Sequence, residues 1–360
     1  MAKLRITNCH THTFTLAHVP KHYPSWWLGL FKRAPILVRF VAWLLRLVGQ
    51  PGYAEKLDRL YQFQTEASRT SQAEIFANMR KQYPSGTRFV VLPMAMAQIG
   101  HGPVSQDIRR QHDGLNELAN GRFAGMVIPF ATLHPDEPGG AAEFRRAIKT
   151  LKFKGLKLYP RLGYPPDHPV LMSEVYPLMQ ELDLPVMSHC SRGGISGKYV
   201  SRADADRFTD PAAFEPVMTE FKKLRVCLAH FGGAADWRAY VNDGIAPDDP
   251  EERRKNWQIA IRDMITCGDW PGLWTDISYT LFHFDDNLPF LRLFLQGDDA
   301  KLLSSRVLFG SDYYMTRQER LSERAVCFRL RNALGEDLFW RISQTNPEIW
   351  LGERPDPDRS

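Results

Sequence analysis

The sequence predicts an α/β chain folded as a (β/α)8 barrel, and three observations carry the prediction. Eight short runs of apolar and β-branched residues recur along the 360 residues. Amphipathic stretches with helical spacing lie between most of them. The first run is followed by "CHTHTF", not by the glycine-rich phosphate loop that a doubly wound open sheet usually carries there. Near-continuous apolar strands alternating with helices indicate a parallel sheet covered by helices. Eight such units in a chain of this length suggest that the sheet closes.

In order, the predicted strands are 3–9 ("KLRITNC"), 87–93 ("TRFVVLP"), 123–130, 153–159 ("FKGLKLY"), 185–190 ("PVMSHC"), 225–231 ("RVCLAHF"), 273–279 and 306–313 ("RVLFGSDY"). Amphipathic helices are expected over 105–121, 140–151, 171–182, 211–224 and 256–267. The whole chain, 1–360, reads as one barrel domain with an insertion at 14–86, longer than one crossover needs. Within it lies "SWWLGLFKRAPILVRFVAWLLRLVGQPG" (25–52), where Lys32, Arg39 and Arg46 are seven apart and form a narrow stripe on a helix. Nearly everything else from Ile36 to Val48 is apolar, yet no run approaches the roughly 20 residues that span a bilayer. Such a helix caps the barrel mouth, forms a dimer face or touches a membrane surface through 26–48. As a cap, it would roof the site with Trp26, Trp27, Phe40 and Trp43. "QPGY" is expected to end it.

Composition narrows the classes. With 44% apolar and 24% charged residues the chain is globular. A net charge of +5 without a dense basic run argues against nucleic acid as a partner. Cys9, Cys190, Cys227, Cys267 and Cys327 are odd in number and form no CxxC pair, which suggests a reduced, cytoplasmic chain. "MAKLRITNC" is too short and polar for a secretory signal.

The strand ends carry the chemistry. The first ends in His10-Thr11-His12, the fourth with Lys157, the fifth with His189, the sixth with His230 and the eighth with Asp312. On a strand, residues i and i+2 face one side, so His10 and His12 point together. In a parallel barrel all strand C-termini open onto one rim, so these groups converge. Each alone has an ordinary reading as a helix cap or a structural histidine. Together they have the composition of a metal centre.

This pattern resembles the amidohydrolase superfamily, and more narrowly its amidohydrolase-2 branch of decarboxylases, lactonases and carbon–carbon hydrolases. The resemblance runs from "CHTHTF" through "GLKLYP", "HCS" and "AHFGG" to "GSDY" and the tail "QTNPEIWLG"; the insertion lies outside it. It implies that His10, His12, His189 and Asp312 hold one divalent ion, most simply zinc, with a position open for water. Such an ion lowers the pKa of water from about 16 toward 7. Asp312 would move the water's proton to a leaving group. His230 would act as acid/base and oxyanion partner or hold a second metal. Lys157 has three readings: a carbamate bridging two ions, an unmodified active-site amine, or a solvated residue of the basic run "KTLKFKGLK". Tyr159, Arg161, Arg192 and Tyr313 are candidates for substrate contact, with Asp276 and Ser278 at the end of the seventh strand and His101 near the second. Arginines there would clamp an acidic substrate.

The expected activity is hydrolysis of a lactone, amide or carbon–carbon bond in a small carboxylated or aromatic molecule, by a homo-oligomer. Non-oxidative decarboxylation on the same metal site is the alternative. A membrane-surface or partner-binding protein with an idle barrel is a third reading.

Overall fold

The computed structural model describes residues 5–23, 35–243, 248–278, 284–297, 300–318 and 322–358. Eight parallel strands run in chain order: β1 (Thr7–Thr11), β2 (Arg88–Val91), β3 in two pieces (Val127–Pro129 and Ala131–Thr132), β4 (Leu156–Leu158), β5 (Val186–Ser191), β6 (Val226–Gly232), β7 (Leu273–Asp276) and β8 (Val307–Leu308). Neighbours in sequence are neighbours in space, with registers such as Thr7↔Arg88, Lys157↔Met187 and Asp276↔Leu308. Beyond β8 the chain returns to β1. Cys9 N donates to Phe309 O at 2.8 Å and Asp312 N to His10 O at 2.8 Å. These bonds close the barrel.

β3 is broken because it changes partner. Phe130 N still reaches Val91 O of β2 (3.2 Å), whereas Ala131 N donates to Gly155 O beside β4 (2.8 Å). The Phe130 ring lies where any Cβ on Gly155 would stand, 2.3 Å away, so only glycine lets the strands meet there. Inside the barrel, Cys9, Val90, Phe130, Met187, Cys227 and Trp274 pack together, with Ile349 and Trp350 of the tail among them. The tail is held by Asn346, whose Nδ2 donates to Ser304 O and Val307 O. All five cysteines are free thiols.

Among the described residues, three α-helices occupy the segment between β1 and β2: α1 (Pro35–Leu47), α2 (Pro51–Ala67) and α3 (Gln72–Arg80). The expected stop at "QPGY" occurs, with Gly49 in the left-handed region. The proline then opens α2 at its first position, where its missing N–H is harmless. α3 buries Ile75, Phe76 and Met79, and Phe76 meets Phe89 of β2 edge-on at 5.3 Å. It therefore belongs to the barrel's outer helix layer. Lys32, Trp26 and Trp27 lie outside the described residues. Phe40 and Trp43, expected as a roof, are instead exposed. No described helix is long and apolar enough to cross a membrane.

Candidate metal centre

β1 runs on to Thr11, so His10 lies within the strand and His12 just beyond it. Their rings stand 5.3 Å apart. The Nδ1–H of His10 donates to Asp276 Oδ2 at 2.7 Å, and that of His12 to the Leu92 carbonyl at 2.8 Å. A carbonyl oxygen only accepts, so His12 Nδ1 carries the proton and its Nε2 presents a lone pair, 3.5 Å from Asp312 Oδ1. Asn8 bolts the first strand to the last. Its Oδ1 accepts from His10 N and Ser311 N, and its Nδ2 donates to Tyr83 OH and Ser311 Oγ. Tyr83 OH and Thr316 Oγ1 in turn donate to the buried Glu323 carboxylate. At Gly310 an added Cβ would come within 2.6 Å of His10 Cβ.

The fifth, sixth and seventh strands supply a second chain of contacts. Asp276 Oδ1 accepts from His230 N (3.0 Å), Ser278 N (2.9 Å) and Ser278 Oγ (2.5 Å). Because the serine proton goes to Asp276, Ser278 Oγ accepts from His230 Nδ1–H at 2.8 Å. That leaves the lone pair of His230 on Nε2. His189 donates Nε2–H to Gly193 O at 2.8 Å, so its lone pair is on Nδ1. The two lone pairs face each other across 3.0 Å, a contact that a shared cation makes favourable. Burial pushes all four imidazoles far below their ordinary value, to about 3 for His12 and His189, and the Lys157 ammonium adds to this in each. Neutral imidazoles with one nitrogen tied to an acceptor are the form in which histidine binds metals.

Three of the five non-glycine residues with positive φ among the described residues lie here: His230 (71°), Phe231 (44°) and Asp312 (50°). Such strain concentrates where a side chain must be aimed. Gly233 follows at 87°, and an added Cβ there would meet Ser191 Cβ at 2.6 Å.

Lys157 is buried and its Nζ has no hydrogen-bond partner. A solvated lysine is thus excluded. Burial pushes its amine down, opposed by Asp276 and Asp312. Burial pushes the Asp312 carboxyl up, opposed by Lys157. Tyr159 stacks on His189 at 4.1 Å, and its hydroxyl accepts from Ile195 N at 3.1 Å.

Ligand-type atoms of His10, His230 and Asp312 lie within 4.8 Å of one another. His12 adjoins Asp312, and His189 adjoins His230. The five strand-end groups that the sequence singled out therefore converge, with His230 inside the donor set rather than beside it. The outer candidates are differently engaged. Arg161 is buried against Asp206 at 2.5 Å. Arg192 grips Asp236, donates to Lys255 O and stacks over Trp257 at 4.2 Å. Tyr313 OH donates to Glu66 Oε1 at 2.8 Å. His101 packs edge-on to Tyr23 at 5.3 Å. Asn8, Tyr83 and Glu323 were not singled out from sequence. The alternation that pairs His10 with His12 reaches Asn8 as well, while Glu323 leaves no local signal. Asp276 and Ser278, weak candidates in the sequence, are central.

Among protein families, the amidohydrolase model Amidohydro_2 matches residues 9–352. No curated protein matches the sequence. Solved structures with similar folds include an uncharacterized TIM-barrel protein from Bordetella bronchiseptica, 17% identical over 97% of this chain and 99% of that one, with a TM-score of 0.55. Another is 5-carboxyvanillate decarboxylase LigW from Sphingomonas paucimobilis, 15% identical over 97% and 99%, with a TM-score of 0.55. A third is 5-carboxyvanillate decarboxylase from Novosphingobium aromaticivorans with bound manganese and 3-methoxy-4-hydroxy-5-nitrobenzoic acid, 14% identical over 97% of each chain, TM-score 0.58. At these identities the likeness is one of fold, and the fold is the (β/α)8 barrel.

Proposed function

The chain belongs to the amidohydrolase family, a family of metal-dependent enzymes, and from that premise we propose hydrolysis of a small carboxylated or aromatic substrate at the His10–Asp312 centre. The observation that carries this reading is the pair of histidine lone pairs facing across 3.0 Å beside a buried carboxylate and a partnerless ammonium. His10, His230 and Asp312 would hold the ion, with His12 beside Asp312 and His189 beside His230 completing the donor set. When bound, a divalent ion supplies Lewis-acid polarisation and makes water a nucleophile at neutral pH.

The remaining work falls to the chain's own groups. Asp312, pushed up by burial, accepts the proton of the attacking water. The water oxygen bonds to the substrate carbonyl carbon, the bond to the leaving atom breaks, and Asp312 returns the proton to that atom. The Lys157 ammonium offers three donors to a substrate carboxylate, a charge-assisted contact that restores its missing hydrogen bonds. Phe14, 5.6 Å from His12 and stacked on Tyr314, gives the site an aromatic wall.

Decarboxylation is the second reading. It is favoured by the two carboxyvanillate decarboxylases of like fold. In it Lys157 or protonated Asp312 supplies the new proton on carbon. Incubation with a panel of lactones and carboxylated phenols separates the readings: acid release supports hydrolysis, and CO2 with a decarboxylated phenol supports the alternative. In either case His10→Ala, His12→Ala and His189→Ala are expected to lose several orders of magnitude in turnover with unchanged circular dichroism. Full activity in these variants would refute the site.

Metal analysis of the purified protein identifies the ion, zinc or manganese, and its count. One equivalent, unchanged in Lys157→Ala, is expected for an unmodified lysine. Two equivalents falling to one or none would mean a carbamate bridge.

A further inference from the structure

Twelve large apolar side chains stand exposed among the described residues, and seven of them fall in one short stretch: Leu37, Phe40, Trp43, Leu44, Leu47, Val48 and Tyr53. Exposed apolar residues are ordinary when scattered, whereas a contiguous group marks a contact surface. At 100° per residue, the buried Val38 and Ala42 define the inner face of α1, which packs on α2. Leu37, Phe40, Leu44 and Leu47 define the opposite face, with Trp43 at its margin. α1 is therefore apolar on two faces, and the described residues cover one.

Charge decides what covers the other. Arg39 and Arg46, seven apart, lie at the edge between the faces, and α1 has no acidic residue. Residues 35–59 hold four basic side chains against two acidic ones. Arg39 lies 5.4 Å over the Tyr61 ring, and Arg46 bonds Asp58 while remaining 48% exposed. A second copy docking face to face would bring two Arg39 edges together with no acid on either α1 to answer them, Asp58 of α2 being already paired with Arg46. An anionic lipid surface answers both features. Its acyl boundary takes the leucines and aromatic rings, and its headgroups take the arginines.

We propose that α1 is a membrane-surface helix that docks the protein on anionic bilayers through its Leu37–Phe40–Leu44–Leu47 face. Thirteen residues lying in the plane match a surface contact and not a crossing. α2 links this helix to the centre, since Glu66 near its end accepts from Tyr313, the neighbour of Asp312. The proposal does not depend on which reaction the centre performs.

Flotation of the 360-residue chain with vesicles tests it. Binding is expected to vesicles of mixed phosphatidylglycerol and phosphatidylcholine. It should weaken about tenfold on pure phosphatidylcholine or in about 0.5 M salt, where surface attraction is screened. Leu44→Glu with Leu47→Glu should abolish it while leaving the melting temperature unchanged, because both side chains are exposed. Arg39→Gln with Arg46→Gln should remove the lipid selectivity. The proposal is overturned by absence of binding to anionic vesicles, by binding that survives the glutamate pair, or by a sedimenting dimer that the pair dissolves and vesicles do not compete away.

Discussion

The two oxygens of Asp276 accept four hydrogen bonds, from His10 Nδ1, His230 N, Ser278 N and Ser278 Oγ. One carboxylate thereby fixes the tautomer of His10 and, through Ser278, that of His230. Asp276→Asn puts an amide donor against one of these donors. We expect metal affinity to fall about 10- to 100-fold, the usual effect of losing a group that orients a ligand. Chelator competition measures it, and an unchanged affinity would remove His10 from the ligand set. This role was not legible locally, because an aspartate ending a strand reads equally well as a helix cap. The histidines were legible because the spacing of His10 and His12 and the positions at strand ends carry geometric meaning. Lys157 was ambiguous for the opposite reason: its basic surroundings look like surface, and only the packed barrel interior shows it buried.

At the level of elements, the approach of the β8 end to β1 is set by a glycine. An alanine at 310 would place its Cβ 2.6 Å from His10 Cβ and 3.2 Å from Ser278 Cβ. Both neighbours are buried and tied down, so the strands must separate. Gly310→Ala is expected to destabilise the protein by about 1–3 kcal/mol, the cost typical of overpacking, and to lower its metal content as well. A denaturant midpoint equal to wild type would show that the strand ends yield freely. Strand positions were readable from apolar runs, but their ends were not. β8 is only Val307–Leu308 because the Phe309 N–H turns to Ile342 O of the tail at 2.9 Å; Asp312 then enters the left-handed region and a helix begins at Tyr313. The helices Arg202–Thr209 and Glu323–Leu334 escaped the sequence reading. The first has a mean character too polar to show an apolar stripe.

For the whole molecule, protonation links distant parts. Burial pushes His18 and His134, neither of them in the donor set, down to about 4. The unfolded chain binds protons at these residues below about 6.5 and the folded chain does not. Stability is therefore expected to fall as pH drops from 6.5 to 4, by about 1.4 kcal/mol per unit for each such group. Melts from pH 7.5 to 4.5 check this. A flat profile would contradict it, and His18→Gln with His134→Asn should reduce the slope only by the share of these two groups, since the buried imidazoles of the centre keep theirs. The barrel itself was legible because eight repeats of one pattern agree, while the paths of the helices between β1 and β2 depend on tertiary packing that no local pattern records. Closure of the barrel also sets a schedule. Since Cys9 is bonded to Phe309 and His10 to Asp312, a chain emerging from the ribosome displays its first two imidazoles long before their last partner has been synthesised. The carboxylate that His12 faces is added only once the eighth strand has been made.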